Sequence, residues 1–415
     1  MSVEAPERKG SGLAAFRHID YRWMQAGRLL SIVSAEMQSV AVAWQVYELT
    51  HRALDLGYVG LVQFLPGILL ALAAGHVADR FNRRSVLLIC YFGYAVVSGL
   101  LFWQSAVHLS NVRVIFGILL LLGTIRAFSG PAASALMPQL VPAADFPNAV
   151  AWSSSIFMTA TILGPAAGGL IYAWGRATAV YAVSIPLYVA ALILLALVHP
   201  RQGGLEKRGA SLSTALAGFR YVWQQKIVLG SISLDLFAVL LGGAVALLPI
   251  YADSILRVGP RGLGILRSAP AVGAALMAVL LAHRPLRRRA GATMLACVAL
   301  FGAATLGFGL SRSFTISVAM LFITGAADMV SVIVRGTLVQ ISTPTEMRGR
   351  VSAVNLLFIG ASNEFGEFES GLTAHWFGAV PAVVIGGIGT LLVVAVWAWA
   401  FPELRRVQSL EVTSA

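Results

Sequence analysis

The stretch "AVPAVVIGGIGTLLVVAVWAWA", Ala379 to Ala400, runs for 22 residues without a charged side chain. A helix needs about 20 apolar residues to cross the hydrocarbon layer of a bilayer, so this stretch by itself points to lipid as the solvent. The whole chain agrees. Of its 415 residues 58% are hydrophobic and only 12% charged, where soluble domains carry about 25% charged residues. A water-soluble fold could not hide that much apolar surface.

Working outward with the same ruler gives twelve spans, near residues 29–49, 56–77, 85–107, 112–135, 149–173, 178–198, 227–250, 262–282, 291–311, 314–339, 351–373 and 379–401. The spacing predicts an all-α membrane protein. Residues 1–28 and 402–415 read as cytosolic tails, and the first lacks the small-residue cleavage site of a signal peptide. With both termini in the cytosol, 21 of the 30 Lys and Arg fall on the cytosolic side, 6 on the outer side and 3 within spans. The positive-inside bias sets that orientation. It also accounts for the net charge of +12 without a nucleic-acid partner.

The longest internal loop, 200–226, separates six spans from six. Its second half places Leu212, Leu216, Phe219 and Val222 or Trp223 at helical spacing, which suits an amphipathic helix on the membrane surface. The two sets of spans share a pattern. At an offset of 204 residues Gly60 matches Gly264, Pro66 matches Pro270, and Arg80, Arg83 and Arg84 match Arg284, Arg287 and Arg288. At an offset of 202, Gly123 matches Gly325 and Pro142 matches Pro344. Such correspondence predicts two pseudo-symmetric six-helix bundles, residues 29–199 and 227–401, with a site between them.

Several function classes drop out. Cys90 and Cys297 both lie in apolar runs and read as buried small hydrophobes rather than a disulfide or thiolate site. No histidine pair has metal-ligand spacing, and none of Lys9, Lys207 and Lys226 stands in a phosphate-binding loop, so neither a metal nor a nucleotide cofactor is expected. No nucleophile and base set is visible either, which argues against an enzyme.

The chemistry must then sit on the few charges inside the spans: Glu36, Arg126, Asp235, Arg267, Asp328, Arg335, Glu364 and Glu367. Facing lipid, each would cost roughly 3 kcal/mol, and together they would exceed the whole stability of a domain, about 5–15 kcal/mol. They must face water or one another. Arg267 and Arg335 lie near helix ends and are read as snorkelling to the interface. Glu36 and Asp235 fall in the cytosolic third of the first and seventh spans, and Asp235 sits on a small-residue stripe of Ser231, Ala238, Gly242 and Ala246 that suits helix packing. Arg126, Asp328 and Glu364 lie nearest the midplane. Two readings stand for these groups: structural ion pairs, or a polar ring in a central cavity whose carboxylates exchange protons.

The stretch "SNEFGEFESG", Ser362 to Gly371, is the densest case. Ser352, Asn355, Gly366, Ser370 and Thr373 form one small polar face with Glu367 and Glu369 on its flanks, while Glu364 stands off it toward a neighbouring helix or the cavity rim. Burial disfavours the charged form of such a carboxyl. That makes Glu364 a candidate proton site.

Three further motifs carry a family resemblance. "GHVADRFNRRS", Gly75 to Ser85, resembles the loop signature of the major facilitator superfamily; "RAFSG", Arg126 to Gly130, resembles its fourth-helix proton-coupling motif; and "LGPAAGG", Leu163 to Gly169, is similar to the end of its antiporter motif. The resemblance implies that Gly75, Asp79, Arg80, Arg83 and Arg84 form a cytosolic latch holding an outward-open state. In the antiporter motif Gly164, Gly168 and Gly169 would allow close helix approach and Pro165 would bend the span. In the second half His283 stands where Asp79 would be, so the latch is not symmetric.

"AVAWQVYELT", Ala41 to Thr50, and "TPTEMRGRVSAVN", Thr343 to Asn355, are similar to the enterobactin-exporter-like branch of the drug:proton antiporters, also described as transmembrane secretion effectors. That branch implies proton-driven export of amphipathic small molecules such as siderophores or drugs across the bacterial cytoplasmic (inner) membrane, by a monomer in contact with membrane lipids. Two alternatives remain at this stage: an uncoupled facilitator or lipid flippase of the same fold, and a membrane sensor or scaffold that transports nothing.

Overall fold

The computed structural model describes residues 12–200, 212–284, 289–344 and 346–408. Arg287 and Arg288 of the repeat, the first part of the 200–226 loop and the ends of both tails lie outside the described residues, as do the side chains of Leu212 and Leu216.

Helix α1 (Ile19–Thr50) starts ten residues earlier than hydropathy suggests. The reason is packing: Tyr21 and Met24 join a buried cluster with Leu87 and Ala149, and Tyr21 donates to the Ala149 carbonyl at 2.7 Å. The second span is broken into α2 (Ala53–Leu69) and α3 (Ala71–Arg80), bent by 59° just after Pro66, which cannot donate a backbone hydrogen bond. Helices α4 (Arg83–Ala106) and α5 (Val112–Leu136) follow.

Helix α6 (Phe146–Ala196) has 51 residues, about 75 Å of helix at 1.5 Å per residue against a hydrocarbon layer of about 30 Å. It is two spans joined at Gly175 and Arg176, where the dihedrals leave the helical region; Arg176 has φ 56° and pairs with Glu48 at 3.2 Å. Helical dihedrals run through Pro165, so the break in this helix falls elsewhere.

In the second half, α7 (Leu212–Gln224) packs where the twelfth helix ends and the thirteenth begins, with Gly218 against the backbone of Arg350. Tyr221 donates to the Ser342 carbonyl at 2.8 Å, and Val222 is buried with Val228, Val339 and Val351. Phe219 and Trp223 face outward instead. The seventh span is interrupted: α8 (Lys226–Gly242) ends at Gly243, and a 3₁₀ turn at Val245–Leu247, α9 (Leu248–Ile250) and a π turn at Tyr251–Ile255 complete it. Helices α10 (Gly259–His283), α11 (Ala290–Leu310), α12 (Phe314–Ile341), α13 (Arg348–Phe377), α14 (Ala379–Ala400) and the short α15 (Pro402–Arg406) follow.

Nine helices among the described residues are long and apolar enough to cross a membrane, and the bent α2–α3 pair adds another. The break in α6 makes two passes of one, and the 30-residue α13 is long enough to cross although Asn355, Asn363, Glu364 and Glu367 lower its mean hydropathy. Twelve passes result. Exposed tryptophans mark the two interfaces, Trp103, Trp174 and Trp376 at one end and Trp223 and Trp399 at the other, the usual level for amphipathic rings in a bilayer.

The sequence repeat has a direct structural counterpart. Gly123 of α5 lies against the backbone of Gln63 in α2, and Gly325 of α12 against the backbone of Pro270 in α10. The equivalent pair Gly60 and Gly264 faces across the seams: Gly60 meets α13, and Gly264 meets Pro165 and Gly169 of α6. The halves therefore join along α2 with α13 and along α6 with α10.

Within the first half, glutamines replace apolar contacts. Gln38 donates to Ser98 at 2.6 Å and accepts from Tyr188 at 3.2 Å, while Gln45 donates to Gln104 at 3.1 Å and accepts from Tyr181 at 2.8 Å. In lipid, where apolar association drives little packing, such bonds tie α1 to α4 and α6.

Candidate functional site

The end of the bundle that carries Arg80, Arg83 and Arg84 is its basic end. Hydrogen bonds between the halves among the described residues run from Tyr47 to Ser254 at 3.0 Å, from Arg267 to Ser39 at 2.6 Å, and from Ser268 to the Ile162 carbonyl at 2.9 Å. All lie between mid-depth and the opposite end. There too Gly57 packs on the backbone of Phe368 and Gly371.

A cavity of about 840 Å³ fills the space these contacts leave. Toward the basic end its wall is Met24, Arg28, Tyr91, Met137 and Ser153, all from the first half; at depth the second half adds Val245, Ala246, Arg267, Glu364 and Glu367. Among the described residues the hydrogen bonds and glycine contacts named above join the halves at depth and beyond, which leaves the cavity open toward the basic end.

Four of the six expected proton-site residues line it: Glu36, Arg126, Glu364 and Glu367. Glu36 is near the middle of α1, which extends beyond the expected span to Ile19. Gly164 positions it, since a Cβ there would collide with the Glu36 side chain. Gly168 lets the same helix lie against the Met37 backbone, and Gly169 takes α10 on its other side.

Glu364 and Glu367 reach from α13 toward Gly60 of α2, where a Cβ would lie 3.1 Å and 2.7 Å from their respective Oε2 atoms. Arg126 donates to Gln63 Oε1 at 3.3 Å, and both Arg126 and Arg267 lie close enough to act electrostatically on both glutamates. None of these cavity charges forms a direct ion pair among the described residues. Arg267 is thus a cavity residue bonded to Ser39 across the seam, not a snorkelling one.

Asp235 and Asp328 lie elsewhere. Asp235 of α8 forms an ion pair with Arg335 of α12, with side chains 8% and 3% exposed, and Asp328 stands in the field of both. Leu234, Ala238, Val330, Val334 and Leu338 wrap them in the core of the second half. Arg335 therefore does not snorkel, and the ring expected from sequence divides into a cluster lining the cavity and a second group outside it, the buried pair Asp235 and Arg335 with the part-exposed Asp328. The stripe beside Asp235 packs at Gly242, which meets Phe301 and Thr390, and at Ala238, whose carbonyl accepts from Thr390 at 3.0 Å, while Ala246 reaches the cavity wall.

Of the loop motif, Gly75, Asp79 and Arg80 lie on α3, while Arg83 and Arg84 open α4. Asn82 caps α4 by accepting from the Ser85 amide at 3.2 Å, and Arg84 donates to the Ala196 carbonyl at 2.5 Å. Asp79 is exposed and makes no ion pair among the described residues.

Hydropathy missed Arg28, Tyr91, Tyr94, Tyr188 and Ser153, all in the cavity wall. Arg28 sits one residue before the expected first span and so counts as tail by composition; its helical spacing from Met24 and Ser31 was the available signal.

Two six-helix halves enclosing a charged cavity that opens at one end define a multi-pass transporter of the major facilitator superfamily. The chain belongs to the transmembrane secretion effector family, whose profile matches residues 10–415. It is 27% identical over 391 residues to the enterobactin exporter EntS of Escherichia coli, covering 90% of this chain and 86% of that one. To the uncharacterized MFS-type transporter YfiS of Bacillus subtilis it is 26% identical over 356 residues, covering 82% and 83%. Its fold matches a bacterial homologue of the human lysosomal transporter Spinster, crystallised inward-facing and occupied, with TM-score 0.74 at 13% identity over 93% of this chain and 98% of that one. The nucleoside transporter NupG matches with TM-score 0.67 at 15% identity over 94% and 99%.

Proposed function

We propose that this protein exports amphipathic small molecules, such as siderophores or drugs, across the bacterial cytoplasmic membrane in exchange for protons. The observation that carries this reading is the cavity cluster: Glu36, Glu364 and Glu367 face an open cavity without direct ion pairs among the described residues. Carboxylates poised there can exchange protons as access alternates between the two sides.

The positive-inside bias supports placing the basic end and both termini in the cytosol, which makes the conformation inward-open. Gly75, Asp79, Arg80, Arg83 and Arg84 then form a latch that is released in this state and engages when the protein faces outward. Residues 29–199 and 227–401 act as the two rocking units, joined by the 200–226 linker, in a monomer surrounded by lipid. Asp235 and Asp328 serve the second unit from within, through Arg335.

The test uses inside-out vesicles and a panel of amphipathic compounds that includes siderophores. An acid-inside pH gradient is expected to drive accumulation, and Glu364→Gln to weaken accumulation more than binding. Coupled proton movement that survives neutralising Glu36, Glu364 and Glu367 together would remove them from the mechanism. Transport indifferent to the gradient would favour an uncoupled facilitator or a lipid flippase.

A further inference from the structure

Arg28 lies in the cavity wall toward the basic mouth, eight residues before Glu36 and so about 12 Å from it along α1. Its guanidinium donates to Ser153 Oγ and stands beside Tyr21 and Tyr91. Arg126 and Arg267 act on Glu364 and Glu367, whereas the neighbours that act on Arg28 among the described residues are the two tyrosines. A guanidinium carries five N–H donors, and Ser153 is its only protein acceptor among the described residues. A half-buried guanidinium with hydroxyls rather than a carboxylate beside it keeps donors free for an anionic ligand.

The adjoining wall offers an apolar body the part-exposed ring of Tyr91. Tyr91 and Tyr94 pack with ring centroids 6.1 Å apart, and Tyr94 and Tyr188 with centroids 5.4 Å apart. Tyr94 and Tyr188 border the cavity too, but at 8% and 1% exposure they hold Tyr91 in place from behind.

We infer that Arg28 and Ser153 form an anion-recognition point, so that the transported molecule is an aromatic or otherwise apolar solute carrying an anionic group that docks there. Arg28 stands about two turns of α1 away from Glu36, so an anionic group docked on Arg28 does not have to touch that carboxylate. This inference rests on the export reading.

The test compares 8-anilino-1-naphthalenesulfonate with its uncharged analogue N-phenyl-1-naphthylamine, by equilibrium dialysis against the purified full-length protein in a neutral detergent, with empty micelles subtracted. The sulfonate is expected to bind more tightly. Arg28→Gln should weaken it about tenfold, as for a lost hydrogen bond to a charged group, and change the neutral probe by less than about twofold on the same scale. Ser153→Asp, which supplies an internal carboxylate beside Arg28, should cause the same selective loss, and Arg28→Lys should retain part of the preference. Equal losses for both probes, an Arg28→Gln variant that keeps the preference, or wild-type protein that binds neither probe would overturn the assignment. Displacement of the sulfonate by an equal concentration of phosphatidylglycerol would assign the point to a lipid phosphate and overturn it for a solute. Gradient-driven sulfonate uptake, measured in parallel, separates the two levels. Selective binding without uptake counts against export and leaves the anion point standing, and uptake without selectivity counts against Arg28 alone.

Discussion

Glu367 of α13 and Gly60 of α2 meet across the seam between the halves, with Glu367 Oε2 2.7 Å from the place a Gly60 Cβ would occupy. The atom in the way is the tip of a flexible side chain, not backbone. Gly60→Ala should therefore displace the carboxylate and leave the seam closed. It should keep or raise the unfolding temperature, since alanine favours a helix over glycine by up to about 1 kcal/mol, while gradient-driven uptake falls several-fold. A fall in both together would attribute the effect to packing instead.

The equivalent glycine of the second half behaves differently. A Cβ on Gly264 would lie 2.6 Å from the Pro165 carbonyl oxygen, and a backbone atom cannot swing aside. Gly264→Ala should force α6 and α10 apart and destabilise the protein by about 1–3 kcal/mol, as overpacked sites do. Gly99→Ala, where nothing lies within 4 Å, is the control and should be neutral or stabilising in the same unfolding assay.

The sealed pair Asp235 and Arg335 predicts strong non-additivity. Arg335→Gln alone leaves a buried carboxylate without its partner and should destabilise by about 3–5 kcal/mol. Combining it with Asp235→Asn should recover much of that loss, because no unpaired charge is then left at that position. A double variant as unstable as the sum of the singles, measured by denaturant unfolding in mixed micelles, would show that the two side chains act independently.

Tyr47 and Ser254 close the far end at 3.0 Å. Replacing both with cysteine in a Cys90→Ser, Cys297→Ser background and joining them with a short bifunctional thiol reagent should stop transport. A cysteine introduced at Met137, in the cavity wall near the basic mouth, should still react with a water-soluble maleimide in the joined protein. Transport that continues after complete joining would mean that the far end need not open.

Much of the architecture was legible before any coordinate. Residues 379–400 could only be a span, because lipid leaves an apolar helix no other place and no backbone group unpaired. The match of Gly123 with Gly325 anticipated two glycines that each let a neighbouring helix backbone approach. Helix ends were less legible. The gap expected between residues 173 and 178 coincides with the break at Gly175 and Arg176, whereas the start of α1 depends on Tyr21 and Met24 packing against residues more than sixty positions away. Hydropathy sums neighbours in the chain and is blind to such contacts.

The sequence by itself determined that the chain lives in a membrane, crosses it twelve times in two related halves, and must keep its buried charges away from lipid, since each of these follows from transfer energy along the chain. Only the tertiary structure decided which charges share water. Asp235 and Arg335 are 100 residues apart in the chain and neutralise one another, whereas Glu364, close to mid-helix in α13, opens onto the cavity. The difference lies in how far each helix is rotated about its own axis when it packs, and that rotation is set by contacts with other helices.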